Sequence, residues 1–291
     1  MAVCIAGGIA FVEMSLHLQK RRITAAQVAM ANERAQGLGS VLTDVQIATQ
    51  EGLALRGWFV RPAQANGASV LLLHGLTDNR LGVGGYAELF LKNGYSVLLA
   101  DSRTHGESDG TIATYGLLEG DDVRRWVDWL QTTQKPSCVY GFGTSMGAGI
   151  LLQSLKGEKR FCAVAAESPF ADFREAVYDR IGERFHTGPW LGRTFLRPTV
   201  EAGLVYARMR YGLDFAQSSP RDAVAGSSVP VLLIHGKEDS VLRVENSEMI
   251  QQASPRTVLW EVPGAEHCGA WSADPQRFER EVLGFIARAR A

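Results

Sequence analysis

A serine set between glycines is the residue of this chain with the clearest chemical potential. Ser145 is the centre of the G-x-S-x-G segment Gly143–Gly147, which follows the apolar run 138–142 and opens another, 148–155. This pattern predicts a strand, a sharp turn and a helix, with small residues where the strand and the helix pass closely. Such a turn strains the backbone of its central residue and exposes the side chain. Ser145 is therefore a candidate nucleophile, although glycine and serine also occur in purely structural turns.

Two other apolar runs end in polar residues that suit a serine nucleophile. The run 230–234 leads to Asp239, and the run 257–262 leads to His267. In an open parallel sheet the carboxyl ends of the strands form the edge where ligands bind. An imidazole can take the proton of a serine hydroxyl, and a carboxylate can orient that imidazole. We therefore expect Ser145, Asp239 and His267 to meet as nucleophile, acid and base.

Glu167 is an alternative to Asp239 as the acid, because it too follows a strand-like run, 163–166. Both positions are expected at the same edge of the sheet. The sequence favours Asp239, since a short loop after its strand would direct the carboxylate towards Nδ1 of His267. Glu167 would then have a structural role near the start of the following insertion.

A fourth apolar run, 70–73, stops at His74 and Gly75, a pattern that suits an oxyanion loop. Two backbone N–H groups are needed to hold the negative oxygen of a tetrahedral intermediate. We expect them to be those of Leu76 and Met146. For the His74 imidazole we expect a hydrogen bond within its own loop.

With these residues the chain resembles the α/β-hydrolase superfamily, and within it the bacterial serine hydrolases of the serine aminopeptidase-like and dienelactone hydrolase-like group. The resemblance covers about residues 45–289 and includes the chain order Ser, Asp, His. It also includes the loop 101–108, which is similar to the D-x-R-G-H-G-x-S motif of that superfamily, with Thr104 where glycine is usual. The polar side chains of this loop are expected to fix its structure. The resemblance implies an oxyanion hole and a triad at the residues named above, and no metal or organic cofactor.

A serine nucleophile points to a small acyl substrate: an ester, a thioester or an amide. Esters are favoured, because amide cleavage must also protonate a poor leaving group. The aminopeptidase type of amide hydrolase remains an alternative, and it would need acidic residues for a substrate amine. Candidates are present, but they alternate with arginines as on a solvated helix face: Asp172, Glu175, Asp179 and Glu183. A third hypothesis is a scaffold without activity that uses the fold for protein interaction.

The order of apolar runs predicts how the chain is organised. Strand-like and helical segments alternate after residue 70, which predicts an α/β fold with a doubly wound, mostly parallel sheet. The connection from 169 to 228 is too long for a simple crossover and contains two helical stripes, so it predicts a small helical cap. Its aromatics, such as Phe170 and Trp190, suit either the core of the cap or a substrate pocket. The hydrolase domain is expected at 23–291, after an apolar N-terminal segment at 1–22.

Composition narrows the classes of partner. A formal net charge of −1 and scattered basic residues give no support to nucleic-acid binding. The apolar stretch 2–18 is marginal in length for a membrane span and lacks the pattern of a secretory signal. If it spans, the basic residues at 20–22 favour a cytoplasmic catalytic domain. Otherwise the stretch is a helix packed on the domain or a disordered segment, so the location is cytoplasmic or membrane-associated.

The cysteines show no metal-ligand spacing, and we expect no disulfide framework. Cys138 and Cys162 lie in apolar runs and are expected to act as small hydrophobic residues. Cys268 adjoins His267 but lacks a helix N-terminus to activate its thiol, so we do not expect it to be a second nucleophile.

Overall fold

The computed structural model describes residues 2–290, without the side chain of Arg290. One eight-stranded sheet forms the centre of the fold. Its strands are β1 (Ser40–Ala48), β2 (Ala54–Pro62), β3 (Ala68–Leu73), β4 (Ser96–Ala100), β5 (Cys138–Thr144), β6 (Phe161–Glu167), β7 (Val231–Gly236) and β8 (Thr257–Val262).

The strand order is β1-β2-β4-β3-β5-β6-β7-β8. The first two strands form an antiparallel hairpin and β2 pairs antiparallel with β4, whereas all the later pairings are parallel. The predicted doubly wound, mostly parallel sheet is therefore confirmed. Because β5 pairs with β3 on one side and β6 on the other, the residues after these strands meet at one edge near the middle of the sheet.

Helices flank both faces of the sheet. Those before the long insertion are α1 (Ala2–Leu16), α2 (Ala25–Gly37), α3 (Gly84–Lys92), α4 (Glu119–Trp129) and α5 (Met146–Ser154). Those within it are α6 (Phe173–Phe185), α7 (Trp190–Arg193), α8 (Arg197–Tyr211) and α9 (Pro220–Ala225). The last three are α10 (Glu245–Ala253), α11 (Ala270–Ala273) and α12 (Pro275–Arg290).

The two faces of the sheet have separate hydrophobic clusters, as the strand pleat requires. Residues of α2, α3 and α12 cover one face, where Phe90 and Phe278 are fully buried. Residues of α4, α5 and α10 cover the other, where Trp126 and Leu151 are buried. The strands that carry the site are therefore buried on both sides and hold their ends in fixed positions.

Helices α6 to α9 lie between β6 and β7, and we call this region, residues 168–230, the insertion. A third cluster joins the insertion to α1: Val12 and Leu16 pack with Phe173, Val177 and other residues of α6 and α8. The N-terminal stretch is thus a helix packed on the insertion. No helix among residues 2–290 is both long and apolar enough to cross a membrane.

Cys138 and Cys162 form a disulfide, so the expectation of two unbonded cysteines was wrong. The two residues are 24 positions apart in sequence, but they lie on the adjacent strands β5 and β6, with Cα atoms 6.0 Å apart. A register shift between these strands lies beside the pair. Strand pairing brings the thiols together, and no spacing rule in the sequence shows which strands are neighbours.

Candidate active site

The turn between β5 and α5 places Ser145 in a strained conformation. Its φ is 51° and its ψ is −119°, a region that residues with a side chain rarely adopt. Added Cβ atoms at the flanking glycines would clash, since one at Gly143 would lie 2.6 Å from the carbonyl oxygen of Gly147. The backbone N–H of Ser145 donates to the carbonyl of Glu167 at 2.8 Å, which ties the turn to β6. The turn therefore holds the serine side chain clear of both elements.

Ser145, His267 and Asp239 form one chain of hydrogen bonds. Ser145 Oγ lies 2.8 Å from Nε2 of His267, and Nδ1 of the same ring lies 2.8 Å from Oδ2 of Asp239. Because a carboxylate can only accept, Nδ1 carries the proton and Nε2 is free to accept from the serine hydroxyl. The ring and the serine are partly exposed, whereas Asp239 is buried. The arrangement can deprotonate the serine from a side that a substrate can reach.

The surroundings of Asp239 keep its carboxylate ionised. Burial alone would raise its pKa, but hydrogen bonds from His235 and His267 outweigh this and hold the pKa well below its usual range. The other carboxylate oxygen, Oδ1, accepts from the backbone N–H groups of Val241 and Leu242 at 3.0 and 2.9 Å. Both oxygens are thus used, and the carboxylate plane is fixed towards the imidazole.

His235 is a part of the site that the sequence reasoning missed. Its Nε2 lies 2.8 Å from the carbonyl oxygen of Leu242 and 3.3 Å from Oδ2 of Asp239. Because a carbonyl only accepts, Nε2 carries the proton, and Nδ1 accepts from the hydroxyl of Ser247 at 2.7 Å. The sequence signal that could have identified His235 is its position at the end of β7, four residues before Asp239.

Glu167, the rival acid, faces a different set of partners. Its Oε2 accepts from the hydroxyl of Tyr86 at 2.7 Å and its Oε1 accepts from the backbone N–H of Ala270 at 3.0 Å. Burial raises the pKa of this carboxyl above its ordinary value. Glu167 therefore connects α3, the turn at Ser145 and the loop that carries His267. The part played by Tyr86 has no local sequence signal.

The two backbone N–H groups expected to form the oxyanion hole are free. Within residues 2–290 neither Leu76 nor Met146 donates its backbone N–H to an acceptor. A Cβ on Gly75 would lie 3.5 Å from Cβ of Ser145, so the early loop lies against the nucleophile. Met146 is the first residue of α5, where the positive end of the helix dipole favours a negative oxygen.

His74 is buried and supports this loop, as expected. Its Nε2 accepts from the backbone N–H of Ser102 at 3.2 Å, so Nδ1 carries the proton and donates to the carbonyl of Gly75 at 2.7 Å. Burial lowers the pKa of this imidazole and favours its neutral form.

Nearby, Asp101 accepts from the backbone N–H groups of Arg80 and Glu107, which fixes the loop 101–108.

The insertion lies against the loop after β7. Oδ2 of Asp179, on α6, accepts from Nδ2 of Asn246 and from the backbone N–H of Arg243. A cavity of about 530 Å³ lies between the end of α6 and this loop, with Asp239 in its wall. Each of the four acidic residues considered for a substrate amine already has a partner within the protein: Asp172 and Glu175 N–H, Glu175 and Arg193, Asp179 and Asn246, Glu183 and Arg180.

The insertion aromatics divide into two groups. Phe170, Phe173 and Tyr178 are buried, and Phe173 stacks on Phe215 within the third cluster. Phe185 and Trp190 are exposed on the outer surface. Phe173 and Tyr178 form part of the core of the insertion, whereas Phe170 lies against Gly149 of α5.

One known protein family matches most of this chain. A model of the alpha/beta hydrolase family matches residues 70–281, which include every candidate site residue. The chain belongs to the alpha/beta hydrolase family. The resemblance first noted from the motifs is therefore confirmed at the level of the family.

Proteins that resemble this chain include bacterial proteins of similar length. The uncharacterised protein YqkD of Bacillus subtilis is 27% identical over 240 residues, covering 81% of this chain and 76% of that protein. YfhR of Escherichia coli strain K12, also uncharacterised, is 26% identical over 256 residues, covering 84% of this chain and 80% of its own length. Among solved structures, the esterase Pf2001 of Pyrococcus furiosus superposes with a TM-score of 0.73 and 25% identity, covering 94% of this chain and all of that one.

A thiol nucleophile finds little support at this site. Burial raises the pKa of the Cys268 thiol well above its ordinary value, so the thiolate is disfavoured beside the serine. Among the described residues, no three His, Cys, Asp or Glu side chains are grouped so that they could hold a metal ion.

Proposed function

We propose that this hydrolase cleaves carboxylic esters, or thioesters, through an acyl-enzyme on Ser145. The observation that carries the proposal is the continuous hydrogen-bond chain from Asp239 through His267 to the strained serine, with both contacts at 2.8 Å. The similarity to an esterase at 25% identity over 94% of the chain supports the same class of substrate.

In the proposed mechanism, Nε2 of His267 takes the hydroxyl proton of Ser145 as the serine oxygen attacks the acyl carbon. The negative oxygen of the tetrahedral intermediate is held by the backbone N–H groups of Leu76 and Met146. The imidazolium then gives its proton to the leaving alcohol or thiol, and the acyl-enzyme remains. Water then attacks the acyl-enzyme by the same steps, which releases the acid and restores the serine. In both stages ionised Asp239 orients the ring and stabilises its positive charge.

We propose that the insertion acts as the cap that shapes the substrate pocket. An aminopeptidase would need acidic side chains free to bind a substrate amine. The acidic side chains of α6 and of its N-cap Asp172 are already engaged within the protein, and this favours esters over aminoacyl amides.

The test uses the purified full chain with p-nitrophenyl esters of increasing acyl length, acyl thioesters and aminoacyl anilides. We expect ester hydrolysis, and covalent labelling of Ser145 by a fluorophosphonate, with loss of fluoride and a mass shift on the peptide that contains the turn. The matched control is Ser168→Ala, because Ser168 is a buried serine that contacts the backbone N–H of Cys268 and has no base beside it.

Labelling of another serine would contradict the mechanism. Anilide cleavage with no ester cleavage would favour the aminopeptidase type. A folded protein that neither hydrolyses any of these substrates nor reacts with the fluorophosphonate would favour the scaffold without activity.

A further inference from the structure

Exposed large apolar side chains concentrate on one part of the molecule. Scattered single residues of this kind are ordinary on a protein surface, but a group on adjoining elements marks an interaction site. In the described part of the chain three lie elsewhere: Met30, Val41 and Val258. The other eight lie on α1 and the insertion: Val3, Ile5, Met14, Phe185, Trp190, Phe195, Val205 and Met209. We call these eight the outer patch.

Helix α1 forms one surface with α8 because the two helices cross closely. A Cβ on Gly8 would lie 2.5 Å from the carbonyl oxygen of Thr199 and 2.6 Å from the backbone nitrogen of Gly203, so only glycine allows this approach. The residues that α1 turns outwards carry no charge: Ala2, Val3, Ile5, Ala6, Gly7, Ala10 and Met14.

The one acidic residue of α1 is held against α8. Oε1 of Glu13 accepts from the hydroxyls of Tyr206 and Tyr211, each at 2.7 Å. Its charge is therefore engaged beside the patch and does not interrupt the outward apolar face of α1.

The stretch of the insertion that carries five of the eight patch residues is basic. Residues 184–210 contain five arginines and one glutamate, a formal charge of +4, whereas the whole chain has −1. The glutamate is paired with Arg174 outside this stretch. Among the described residues, none of Arg184, Arg197 and Arg208 has a carboxylate partner. These arginines are exposed and can contact an external anion.

We propose that the outer patch binds the surface of an anionic phospholipid bilayer. The aromatic, methionine and valine side chains would enter the boundary between headgroups and acyl chains, where tryptophan is favoured. The unpaired arginines would contact the phosphates, with their aliphatic stems along the apolar surface. Exposed apolar side chains beside arginines that lack carboxylate partners have the charge complementarity of such a bilayer. The proposal does not depend on which ester the site hydrolyses.

The experiment is sedimentation of the purified full chain with large vesicles of phosphatidylcholine alone or mixed with phosphatidylglycerol, at low and high salt. We expect binding to the mixed vesicles that weakens as salt rises. The variant Phe195→Glu/Met209→Glu places charge at positions 75% and 82% exposed, and should lower the partition coefficient at least ten-fold. Its matched control is Val41→Glu, at a position 68% exposed on β1, which should bind like the parent chain.

Arg197→Glu/Arg208→Glu tests the electrostatic part and should lower partitioning roughly twenty-fold or more at low salt. Arg256→Glu, an exposed arginine far from the patch in sequence, is its control. Circular dichroism of each variant checks the fold.

Three results would overturn the proposal. The first is no sedimentation with the mixed vesicles, and the second is equal binding by all four variants. The third is a concentration-dependent dimer in sedimentation velocity that the Phe195→Glu/Met209→Glu variant abolishes while vesicle binding is absent, because this face would then join two copies of the chain. Hydrolysis of a soluble ester, measured in parallel, reports on the proposed function separately.

Discussion

Two parts of this protein differ in how their polar and apolar groups are satisfied. One is the edge of the sheet that carries Ser145, and the other is the outer patch. At the edge, Asp239, His267 and His235 use their polar atoms within the protein, and each side chain has one defined position. On the outer patch, large apolar side chains face solvent, and three arginines close to it in sequence, Arg184, Arg197 and Arg208, lack carboxylate partners in the described part of the chain. The polar groups of the edge are satisfied within the protein, whereas the apolar side chains of the outer patch would be buried only against an external surface. Substitutions should therefore be costly at the edge and tolerated on the patch.

The same contrast separates the two carboxylates of the edge. Asp239 receives hydrogen bonds from two imidazoles and two backbone N–H groups, which lower its pKa, whereas burial dominates at Glu167 and raises its pKa. A stable negative charge beside His267 is what a general base requires. The geometry favours Asp239 for that role and gives Glu167 a role in holding the loop.

The largest effect is expected from Ser145→Ala. Removing the nucleophile should lower turnover of a p-nitrophenyl ester by roughly 10⁵ to 10⁶-fold, because the remaining groups stabilise a transition state that can no longer form. Steady-state kinetics measure the loss, and thermal unfolding shows that the fold persists. Near-normal turnover would place the chemistry on another residue.

Asp239→Asn should lower turnover by roughly 10³ to 10⁴-fold, since an amide can donate to Nδ1 and stabilise the wrong tautomer of His267. Glu167→Gln is the matched control and should cost less than about ten-fold, because the amide can still accept from Ala270 and donate to Tyr86. Rate measurements on both variants test the assignment. A large loss in the glutamate variant alone would reverse it.

Glu167→Gln should also change how stability depends on pH. Burial raises the folded-state pKa of Glu167 above the unfolded value of about 4.3, so the parent chain loses stability as pH rises through that interval and the carboxyl ionises. The amide does not ionise. The stability of the variant relative to the parent should therefore increase from acid to neutral pH, as measured by urea unfolding. A difference that is constant with pH would contradict this account.

The smallest effect is expected from Met209→Glu. The side chain is 82% exposed, so the free energy of unfolding should change by no more than about 0.5 kcal/mol, and hydrolysis of a soluble ester should be unchanged. Denaturant unfolding and steady-state kinetics measure both. A large loss of either quantity would show that the patch supports the edge and is not an independent surface.

Much of this fold could be predicted from local patterns. The capping box at Thr24 starts α2, with the Thr24 hydroxyl accepting from the backbone N–H of Gln27. The strand-like apolar runs named above correspond to β3 and to β5 to β8, and the hairpin of β1 and β2 forms around residues 49–53. These features depend on residues close in sequence, so the sequence is sufficient to predict them. Polar residues just after buried strands could also be singled out, because parallel strands end at a common edge.

Other features depended on which elements are neighbours. The disulfide of Cys138 and Cys162 required the pairing of β5 with β6, and the bond from Tyr86 to Glu167 required α3 to lie beside the loop after β6. The sequence showed that the stretch 2–18 is apolar. It did not show that α1 and α8 would cross closely at Gly8 and Gly203, which places this stretch on the insertion. The amino-acid sequence by itself determined the strands, the strained turn and the residues at the strand ends, because short-range sterics and burial dictate them. Only the tertiary structure decided the partners of those residues, because contacts between distant segments follow from packing the whole chain.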